Sequence, residues 1–307
     1  MKDFLASSDL TRDAALHLFQ VAGEPKQRWK SGRRGVPLAG RTFALIFEKP
    51  SLRTRVTFEV GIVQLGGRAV HLSGGEIGLG TRESVPDVAR NLSRWVDGIA
   101  ARVYAHSTVE TLAQVATIPV INGLSDFEHP CQALADFFTL WERGVDFTTI
   151  KLAWIGDGNN VCHSVIVLGA MLGARIAVAC PPGYEPDPRV CELVRRLGPA
   201  LEVTEDVPRA AKDADVIYTD VWISMGQEAE RERRLEAFGR YQVNETVVGF
   251  AKPSAVVMHC LPAHRGEEIT DAVLDGPRSI ALEQAENRLH AQKAIILELS
   301  GGLAHDG

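Results

Sequence analysis

The sequence predicts an α/β protein with two doubly wound, parallel-sheet domains and a cleft between them. Short apolar runs rich in β-branched residues alternate with amphipathic segments of helical spacing. The alternation pauses near residues 145–149 and then resumes, and a length of 307 residues suits two domains of ordinary size. Repeated strand–helix–strand units favour parallel strands with helices on both faces of the sheet.

Nine apolar runs are the predicted strands. They lie at residues 42–47, 69–72, 99–104, 119–122, 152–156, 175–180, 201–204, 216–220 and 255–259. We therefore expect a first domain over residues 1–146 and a second domain over residues 147–283. A last apolar helix, about residues 282–299, could pack on either domain. Because the sites of open α/β sheets lie beyond the carboxyl ends of strands, functional motifs should follow the strands directly.

The clearest predicted helix follows the first strand. Its apolar positions are spaced by fours and a three, which places them on one helix face: Leu52, Val56, Val60 and Val63. The pair Gly66-Gly67 then marks the end of the helix.

Composition argues against several classes of protein. The chain has 33 Lys and Arg against 39 Asp and Glu, a net charge of −6, which argues against a nucleic-acid or anionic-membrane binder. The longest apolar stretch, residues 165–174, is too short to span a bilayer. The acidic N-terminus is unlike a signal or transit peptide. We therefore expect a cytoplasmic protein.

A glycine-containing loop follows the predicted strand at residues 152–156. The segment Gly156-Asp157-Gly158-Asn159-Asn160-Val161 begins like a dinucleotide-binding fingerprint, but Val161 replaces its third glycine. The acidic residue expected about 20 residues further on, for a ribose hydroxyl, is also missing. A nicotinamide site is therefore disfavoured. A structural turn and a small-molecule contact through the Asn amides both stay open.

A candidate anion-binding motif follows the first strand. The segment Glu48-Lys49-Pro50-Ser51-Leu52-Arg53-Thr54-Arg55 opens the predicted helix. Backbone N–H groups, two hydroxyls and an Arg fork can converge on phosphate there. The alternative is an ordinary Ser51 N-cap with solvated arginines. Arg55 precedes Glu59 by four residues and can form a structural pair with it, while Arg53 points elsewhere.

Three further motifs also follow strands. His129-Pro130-Cys131-Gln132 opens a helix with Pro130 at its first position, and its polar side chains can donate hydrogen bonds to a carbonyl or amide. Asp220 ends a strand before the loop Ser224-Met225-Gly226-Gln227, where it can cap a helix or hold a substrate ammonium. His259-Cys260-Leu261-Pro262-Ala263-His264-Arg265 follows the last strand.

The cysteines and histidines do not predict a metal site. The five cysteines are scattered and form no CxxC pair, which favours reduced thiols over disulfides or a zinc ribbon. A metal held by His129, Cys131, His259 and Cys260 matches no common zinc spacing. A Cys–His protease pair lacks the expected nucleophile context.

In order and approximate spacing, the motifs resemble the ornithine carbamoyltransferases of the aspartate/ornithine carbamoyltransferase superfamily. The matching segments are Ser51-Leu52-Arg53-Thr54-Arg55, His129-Pro130-Cys131-Gln132, Asp220 with Ser224-Met225-Gly226, His259-Cys260-Leu261-Pro262 and Glu286-Asn287-Arg288. The resemblance covers essentially the whole chain, and its Ser-Met-Gly loop points to ornithine rather than aspartate.

The resemblance implies a carbamoyl-phosphate domain, an ornithine domain after it, and a C-terminal helix, about residues 284–307, that returns to the first domain. The implied carbamoyl-phosphate contacts are Ser51, Leu52, Arg53, Thr54, Arg102, His129, Gln132, Cys260, Leu261 and Arg288. The implied ornithine contacts are Asn160, Asp220, Ser224 and Met225. The implied catalytic residues are Arg53, Arg102, His129 and Cys260, and the implied assembly is a homotrimer.

The implied reaction is attack of the ornithine δ-amine on carbamoyl phosphate, giving citrulline and phosphate. No metal or cofactor is expected, because juxtaposing two substrates in a closing cleft supplies much of the acceleration. The alternatives are a carbamoyltransferase for putrescine or an acylated ornithine, and a non-catalytic binding homologue. Asp220 argues against putrescine, which has no amino-acid end. Arg53, His129 and Cys260 argue against a non-catalytic protein.

Two positions depart from the family pattern. Leu52 stands where many members have Thr, which matters little if this position binds through its backbone. Gly78, in the loop of residues 74–82, stands where other members have a Gln or His that reaches into a neighbouring subunit's site. The resemblance therefore leaves this cross-subunit contact open.

Overall fold

The computed structural model of the chain describes residues 1–32, 35–198, 200–224 and 226–301. The chain divides into two compact units, one formed by Met1–Phe138 with Asn287–Gly307 and the other by Thr139–Glu286. Each unit has its own parallel sheet and its own buried apolar core. The predicted α/β class with two parallel-sheet domains is confirmed.

The first unit is built on four strands. They are β1 (Thr42–Phe47), β2 (Arg68–Ser73), β3 (Gly98–Arg102) and β4 (Val120–Leu124). Its helices are α1 (Arg12–Lys30), α2 (Leu52–Gln64), α3 (Gly74–Ile77), α4 (Val85–Trp95), α5 (His106–Val115) and α6 (Pro130–Glu142), the last of which continues into the second unit. The sheet order is β2-β1-β3-β4, and every neighbouring pair is parallel. The central strands β1 and β3 are buried almost throughout, as expected for strands covered on both faces.

The second unit is built on five strands. They are β5 (Lys151–Ile155), β6 (Arg175–Ala179), β7 (Leu201–Thr204), β8 (Val216–Thr219) and β9 (Val256–His259). Its helices are α7 (Asn160–Leu172), α8 (Pro188–Leu197), α9 (Val207–Ala211), α10 (Arg231–Phe238), α11 (Glu245–Phe250), α12 (Asp271–Leu274) and the start of α13 (Ala281–Ser300). The sheet order is β7-β6-β5-β8-β9, again all parallel. All nine predicted strands are confirmed, with ends shifted by at most two residues.

The helix predicted after the first strand is confirmed as α2, but its apolar stripe is exposed. The exposed fractions are 74% at Leu52, 45% at Val56, 37% at Val60 and 60% at Val63. The buried residues of α2 are instead Thr54, Phe58, Gly61 and Ile62. An apolar stripe that its own chain leaves uncovered is typical of a surface that another molecule covers.

The C-terminal helix α13 packs on the first unit, as the resemblance implies. A Cβ on Gly61 of α2 would lie only 3.4 Å from the side chain of Lys293 in α13. Lys293 is buried, donates a hydrogen bond to Gln64 and lies 5.2 Å from the ring centre of Trp29. Burial lowers the pKa of this amine to about 8. Residues 302–307, the end of the predicted helix, lie outside the described residues.

The loop after β5 uses its glycines for packing. Gly156 has a φ of +130°, a conformation that side chains disfavour. A Cβ on Gly158 would lie 2.3 Å from the backbone nitrogen of Pro186 and 2.5 Å from the carbonyl carbon of Glu185. In a dinucleotide fingerprint the second glycine admits the pyrophosphate, whereas here the protein's own backbone fills that space. This observation supports the structural interpretation of the glycines.

Gly158→Ala is therefore expected to destabilise the protein by about 1–3 kcal/mol, because the new Cβ overlaps backbone atoms that cannot rotate away. The free energy of unfolding in denaturant measures this loss. Gly239→Ala is the matched control, since a Cβ on Gly239 would meet no atom within 4 Å. Equal stability of the two variants would contradict the steric explanation.

All five cysteines are free thiols, as predicted. Burial raises the pKa of the Cys131 and Cys180 thiols to about 12, so neither is a nucleophile near neutral pH. In the part of the chain that the structure describes, no helix is both long and apolar enough to cross a membrane.

Candidate active site

Both sheets reverse their strand order at one point. In the first unit the reversal lies between β1 and β3, and in the second unit it lies between β5 and β8. Ligands of open α/β sheets bind beyond the carboxyl ends of the strands at such a point. Ser51 follows β1, Arg102 ends β3, Asn160 begins the helix after β5 and Asp220 follows β8. Predicted site residues therefore occupy both reversal points.

The first half-site begins at the N-terminus of α2. Ser51 is the N-cap, and its Oγ accepts a hydrogen bond from the Thr54 N–H at 3.2 Å. The ordinary N-cap interpretation is thus correct, and it is compatible with anion binding because the first turn of a helix lacks intrahelical acceptors for its N–H groups. Arg55 lies 3.9 Å from Glu59 on the exposed surface, as the i,i+4 spacing predicts.

Residues from three distant segments meet beside this helix. Thr54 is buried, and its hydroxyl accepts from Arg288 Nη2 of α13 at 3.0 Å and from Arg102 Nη1 of β3 at 3.5 Å. Arg288 Nη1 donates to Oε1 of Gln132 in α6. The Gln132 amide donates in turn to Asp136 Oδ1 at 2.7 Å. These bonds hold the guanidinium and the amide in fixed orientations.

His129 lies among positive charges. It is 5% exposed, and the following Pro130 is the first residue of α6, as predicted. The pKa of His129 is lowered well below its usual value, first by burial and then by the charges of Arg288, Arg102 and Arg53. The imidazole is therefore neutral near pH 7 and keeps one donor and one acceptor nitrogen. Three guanidiniums around a neutral imidazole suit a small dianion that also carries a carbonyl group.

Asp220 is the centre of the second half-site. It is 5% exposed, and both carboxylate oxygens are engaged. Oδ1 accepts from the Cys260 thiol at 2.9 Å, and Oδ2 accepts from the Asn159 amide at 2.9 Å. Asn159 is also the N-cap of α7, so the helix fixes its side chain. A carboxylate whose two oxygens each accept a hydrogen bond has a fixed orientation. Its remaining lone pairs can accept hydrogen bonds from an ammonium group.

The other predicted ornithine contacts belong to the same unit. Asn160 is the first residue of α7, and its Oδ1 accepts from the Val161 N–H at 3.1 Å. The Ser224 N–H donates to Gln227 Oε1 at 3.0 Å, which closes the loop after β8. Met225 lies outside the described residues.

A buried acid–base pair that the motifs do not predict adjoins Cys260. His259 Nε2 lies 3.0 Å from Glu268 Oε1, and both side chains are fully buried. The Leu261 N–H donates to His259 Nδ1 at 2.9 Å, so Nδ1 is the acceptor and Nε2 carries the proton toward the carboxylate. Leu261 itself has a φ of +57°, which is unusual for a residue other than glycine. The pair thus supports the loop that presents Cys260.

A second buried pair, Asp157 with Arg234, adjoins the loop after β5. Arg234 Nη1 lies 2.8 Å from Asp157 Oδ2 and donates to the Trp222 carbonyl at 3.0 Å. Burial raises the pKa of Asp157 to about 6, against the opposing effect of Arg234. The pair joins the loops that follow β5 and β8. No local pattern predicts it, because the two residues are 77 positions apart.

The two departures from the family pattern have local explanations. The Leu52 side chain is 74% exposed, which is compatible with a backbone contact at this position. Gly78 is the C-cap of α3 with a φ of +56°, and a Cβ there would lie 2.6 Å from the Cβ of Arg82. A larger residue at Gly78 would require this loop to change conformation.

The predicted carbamoyl-phosphate residues are divided between the two units. Eight of them belong to the first unit: Ser51, Leu52, Arg53, Thr54, Arg102, His129, Gln132 and Arg288. Cys260 and Leu261 belong to the second unit, with Asn160, Asp220 and Ser224. The predicted catalytic residues are divided in the same way.

Two family models match the chain, one to each half. The carbamoyl-P binding domain of aspartate/ornithine carbamoyltransferase matches residues 2–142. The Asp/Orn binding domain of the same family matches residues 148–299. The chain therefore belongs to the aspartate/ornithine carbamoyltransferase family.

Known members of the family are similar over nearly their whole length. The ornithine carbamoyltransferase of Methanosarcina mazei is 52% identical over 298 residues, which are 97% of this chain and 99% of the relative. A solved ornithine carbamoyltransferase from Pyrococcus furiosus is 51% identical, with a TM-score of 0.95 over 98% of this chain and 97% of that one. A Pyrococcus furiosus relative is named anabolic. A solved N-acetyl-L-ornithine transcarbamylase is 32% identical, with a TM-score of 0.87 over 97% of this chain and 100% of that one.

Proposed function

We propose that this protein transfers the carbamoyl group of carbamoyl phosphate to the δ-amine of L-ornithine, giving L-citrulline and phosphate. The observation that carries the proposal is the cluster of positive charge in the first unit: Arg102 and Arg288 both donate to the buried Thr54 of α2, and with Arg53 they lower the pKa of the buried His129. Carbamoyl phosphate is a small dianion with an electrophilic carbonyl, which matches that arrangement of charges and donors. The direct test is formation of citrulline from the two substrates by the purified full chain.

Phosphate is the leaving group of this reaction. Arg53 and the N–H groups at the start of α2 hold it and stabilise the charge that it gains as the C–O bond breaks. The carbonyl oxygen becomes negative when the amine attacks, and Arg102, His129 and Thr54 donate to it. The tetrahedral intermediate then expels phosphate as the C–O bond breaks, one proton of the attacking amine passes to the departing phosphate, and the new C–N bond remains. The protein forms no covalent bond to the substrate in this scheme.

The amino-acid end of ornithine is assigned to the second domain, residues 147–283. Asp220 pairs with the α-ammonium, because a buried carboxylate requires a cationic partner. Asn160, Ser224 and Met225 complete this site. Cys260 lies next to the attacking nitrogen, and its S–H group donates a hydrogen bond to Asp220. The sulfur therefore stays protonated and does not act as a nucleophile. Residues 1–146 and the C-terminal helix form the carbamoyl-phosphate domain.

An acylated ornithine is the second candidate substrate, since one solved relative is an N-acetyl-L-ornithine transcarbamylase. Acylation removes the α-ammonium and would leave the buried Asp220 without a cation, so we favour free ornithine. An assay with ornithine, Nα-acetylornithine and putrescine at saturating carbamoyl phosphate separates the candidates. We expect ornithine to give a kcat/KM at least about tenfold above the others. A preference for the acylated amine would overturn the substrate assignment.

The rate at limiting ornithine is expected to rise with pH. The δ-amine has an unperturbed pKa of about 10.4, like a Lys side chain, and only its neutral form attacks. The lowered pKa of His129 keeps this residue neutral throughout, and the pKa of Asp157, about 6, confines its titration to the acidic end. We expect kcat/KM for ornithine to climb between roughly pH 6 and 9 in the wild type.

The Cys260→Ser variant tests whether the amine is the titrating group. Cys260 is the nearby residue whose unperturbed pKa, about 8.5, falls in the same range. If deprotonation of the substrate amine controls the rate, kcat/KM for ornithine still rises with pH in the variant, at a lower absolute value. A flat wild-type profile, or a rise that disappears with the thiol, would show that an enzyme group controls it.

We infer that the chain assembles as a homotrimer through a surface that includes the exposed apolar stripe of α2. Four apolar side chains in one row are costly to leave in water, and family members are expected to be trimers. Val63→Glu should therefore shift the mass in sedimentation equilibrium from three chains toward one. Leu282→Glu is the matched control, since Leu282 is 79% exposed and is not part of the α2 stripe. A monomeric wild type, or an unchanged mass in Val63→Glu, would contradict this interface.

We also propose a cytoplasmic role in arginine biosynthesis. The anabolic name of the Pyrococcus furiosus relative and the free thiols support it. Restoration of growth without arginine in a host that lacks its own ornithine carbamoyltransferase is the test. Failure of an expressed, active protein to restore growth would contradict the biosynthetic direction.

A further inference from the structure

Three side chains that the proposed reaction does not use converge in the loop between β9 and α12. His264, Glu267 and Glu268 each offer one donor atom, and these atoms lie within 4.8 Å of one another. The Glu268 side chain is fully buried, that of Glu267 is 22% exposed and that of His264 is 41% exposed. The cluster thus combines a buried carboxylate with ligands at the protein surface.

Each member presents a buried atom that has no hydrogen-bond partner among the described residues. These atoms are His264 Nδ1, Glu267 Oε2 and Glu268 Oε2. The other carboxylate oxygen of each glutamate already has a partner. Glu267 Oε1 pairs with Arg231, and Glu268 Oε1 accepts from His259 Nε2 and from the backbone N–H of His264. Buried polar atoms are almost always paired, so three of them on the side chains of one cluster point to a ligand that they share.

We propose that His264, Glu267 and Glu268 form a binding site for one divalent transition-metal cation of the zinc class. His264 Nδ1 lies 3.6 Å from Glu267 Oε2. Ligands of a tetrahedral Zn²⁺ at about 2.0–2.2 Å are roughly 3.4 Å apart, so this pair already has nearly that spacing, and the donor atoms of all three residues lie within 4.8 Å of one another. One imidazole with two carboxylates suits Zn²⁺ or Co²⁺ better than Mg²⁺ or Ca²⁺, which prefer oxygen ligands alone. Water can complete the coordination on the exposed side.

The neighbouring cluster of Asp220, His259 and Cys260 is the rival metal site, since its donor atoms also lie within 4.8 Å of one another. Both ring nitrogens of His259 are already engaged, Nε2 with Glu268 and Nδ1 with the Leu261 N–H. This histidine therefore has no lone pair for a metal. The proposed site is the better ligand set, because its three atoms make no hydrogen bond to any residue that the structure describes and the one contact between them, His264 Nδ1 to Glu267 Oε2 at 3.6 Å, has the spacing of two metal ligands.

A cation at the proposed site would act on the loop that carries Cys260. Glu268 would bind the metal through its Oε2 while its Oε1 keeps the hydrogen bond from His259 Nε2. His259 directly precedes Cys260 in the chain. The metal would therefore steady this loop and stabilise the folded protein by binding the native state alone. This inference does not depend on the proposed carbamoyl transfer.

The test is metal binding by the chelator-treated full chain, followed by Co²⁺ absorption and Zn²⁺ calorimetry. We expect the wild type to bind one cation per chain, with visible Co²⁺ absorption and no thiolate charge-transfer band, and to melt at a higher temperature with Zn²⁺. His264→Ala should weaken binding at least tenfold and abolish the thermal shift. Glu267→Gln provides a second, more conservative variant with the same expectation.

Two controls distinguish the sites. His17→Ala removes a histidine that lies 3.3 Å from a single carboxylate, Glu298, and should bind metal like the wild type. Cys260→Ser should also bind like the wild type. Absence of binding in the wild type would overturn the proposal. So would a thiolate band that disappears in Cys260→Ser while His264→Ala binds normally, because the metal would then belong to the rival cluster.

Discussion

Arg53→Ala is expected to lower kcat/KM for carbamoyl phosphate by a factor of about 10² or more. Arg53 is the second residue of α2 and directly precedes Thr54, whose hydroxyl accepts from Arg102 and Arg288. Its charge also contributes to the lowered pKa of His129. Phosphate gains negative charge as it leaves. A charge-assisted contact that strengthens in the transition state lowers the barrier, and its loss raises the barrier.

The neighbouring Arg55 is the matched control for this prediction. It lies on the same helix but pairs with Glu59 on the surface, at 3.9 Å, and both side chains are about half exposed. Arg55→Ala should therefore stay within about twofold of the wild type, because exposed ion pairs contribute little. Steady-state kinetics at saturating ornithine measure both variants. Similar losses in the two would mean that the general positive charge of the helix matters, rather than one placed guanidinium.

The strands of the fold are predictable from sequence because parallel strands in a covered sheet are apolar on both faces. The run at residues 42–47 is buried at five of six positions, and the pattern is visible without any tertiary information. Strand ends are less well predicted: the run at residues 99–104 continues two residues past Arg102, where β3 ends, because the apolar Val103 and Tyr104 extend the pattern beyond the strand.

Helix periodicity predicts which residues share a face but does not identify what covers that face. The stripe from Leu52 to Val63 has the spacing of a core-facing helix and is nevertheless exposed. The core side of α2 includes Thr54 and Gly61, because it must admit the guanidinium of Arg288 and the close approach of α13. Burial by another chain and burial by the same chain leave the same pattern in the sequence.

Site residues that sit in local motifs are predictable, and those that depend on distant partners are not. Ser51 as an N-cap and Pro130 as a helix start follow from neighbouring residues. The bond between Thr54 and Arg288 joins positions 234 residues apart, and no local spacing encodes it. The same holds for Asp157 and Arg234. Only the fold brings such pairs together.

Asp220→Asn is expected to raise the KM for ornithine by about 10- to 100-fold, which corresponds to the loss of one hydrogen-bonded charge pair. The amide is nearly isosteric, and after rotation its oxygen can still accept from Asn159, so the local structure should persist. Carbamoyl phosphate binding should change much less, because eight of its ten assigned contacts, all but Cys260 and Leu261, belong to the other unit. Kinetics for ornithine and calorimetry for carbamoyl phosphate measure the two effects separately.

A substrate analogue isolates the charge pair from any structural effect of Asp220→Asn. 5-Aminopentanoate has the carboxylate and the attacking amine of ornithine but no α-ammonium. The wild type should prefer ornithine over this analogue by about the factor that the variant loses, and the preference should largely disappear in Asp220→Asn. Glu205→Gln, which removes an exposed carboxylate from the same unit, should keep the preference. If Asp220→Asn retains the full preference, or if it weakens carbamoyl phosphate as much as ornithine, Asp220 does not hold the α-ammonium.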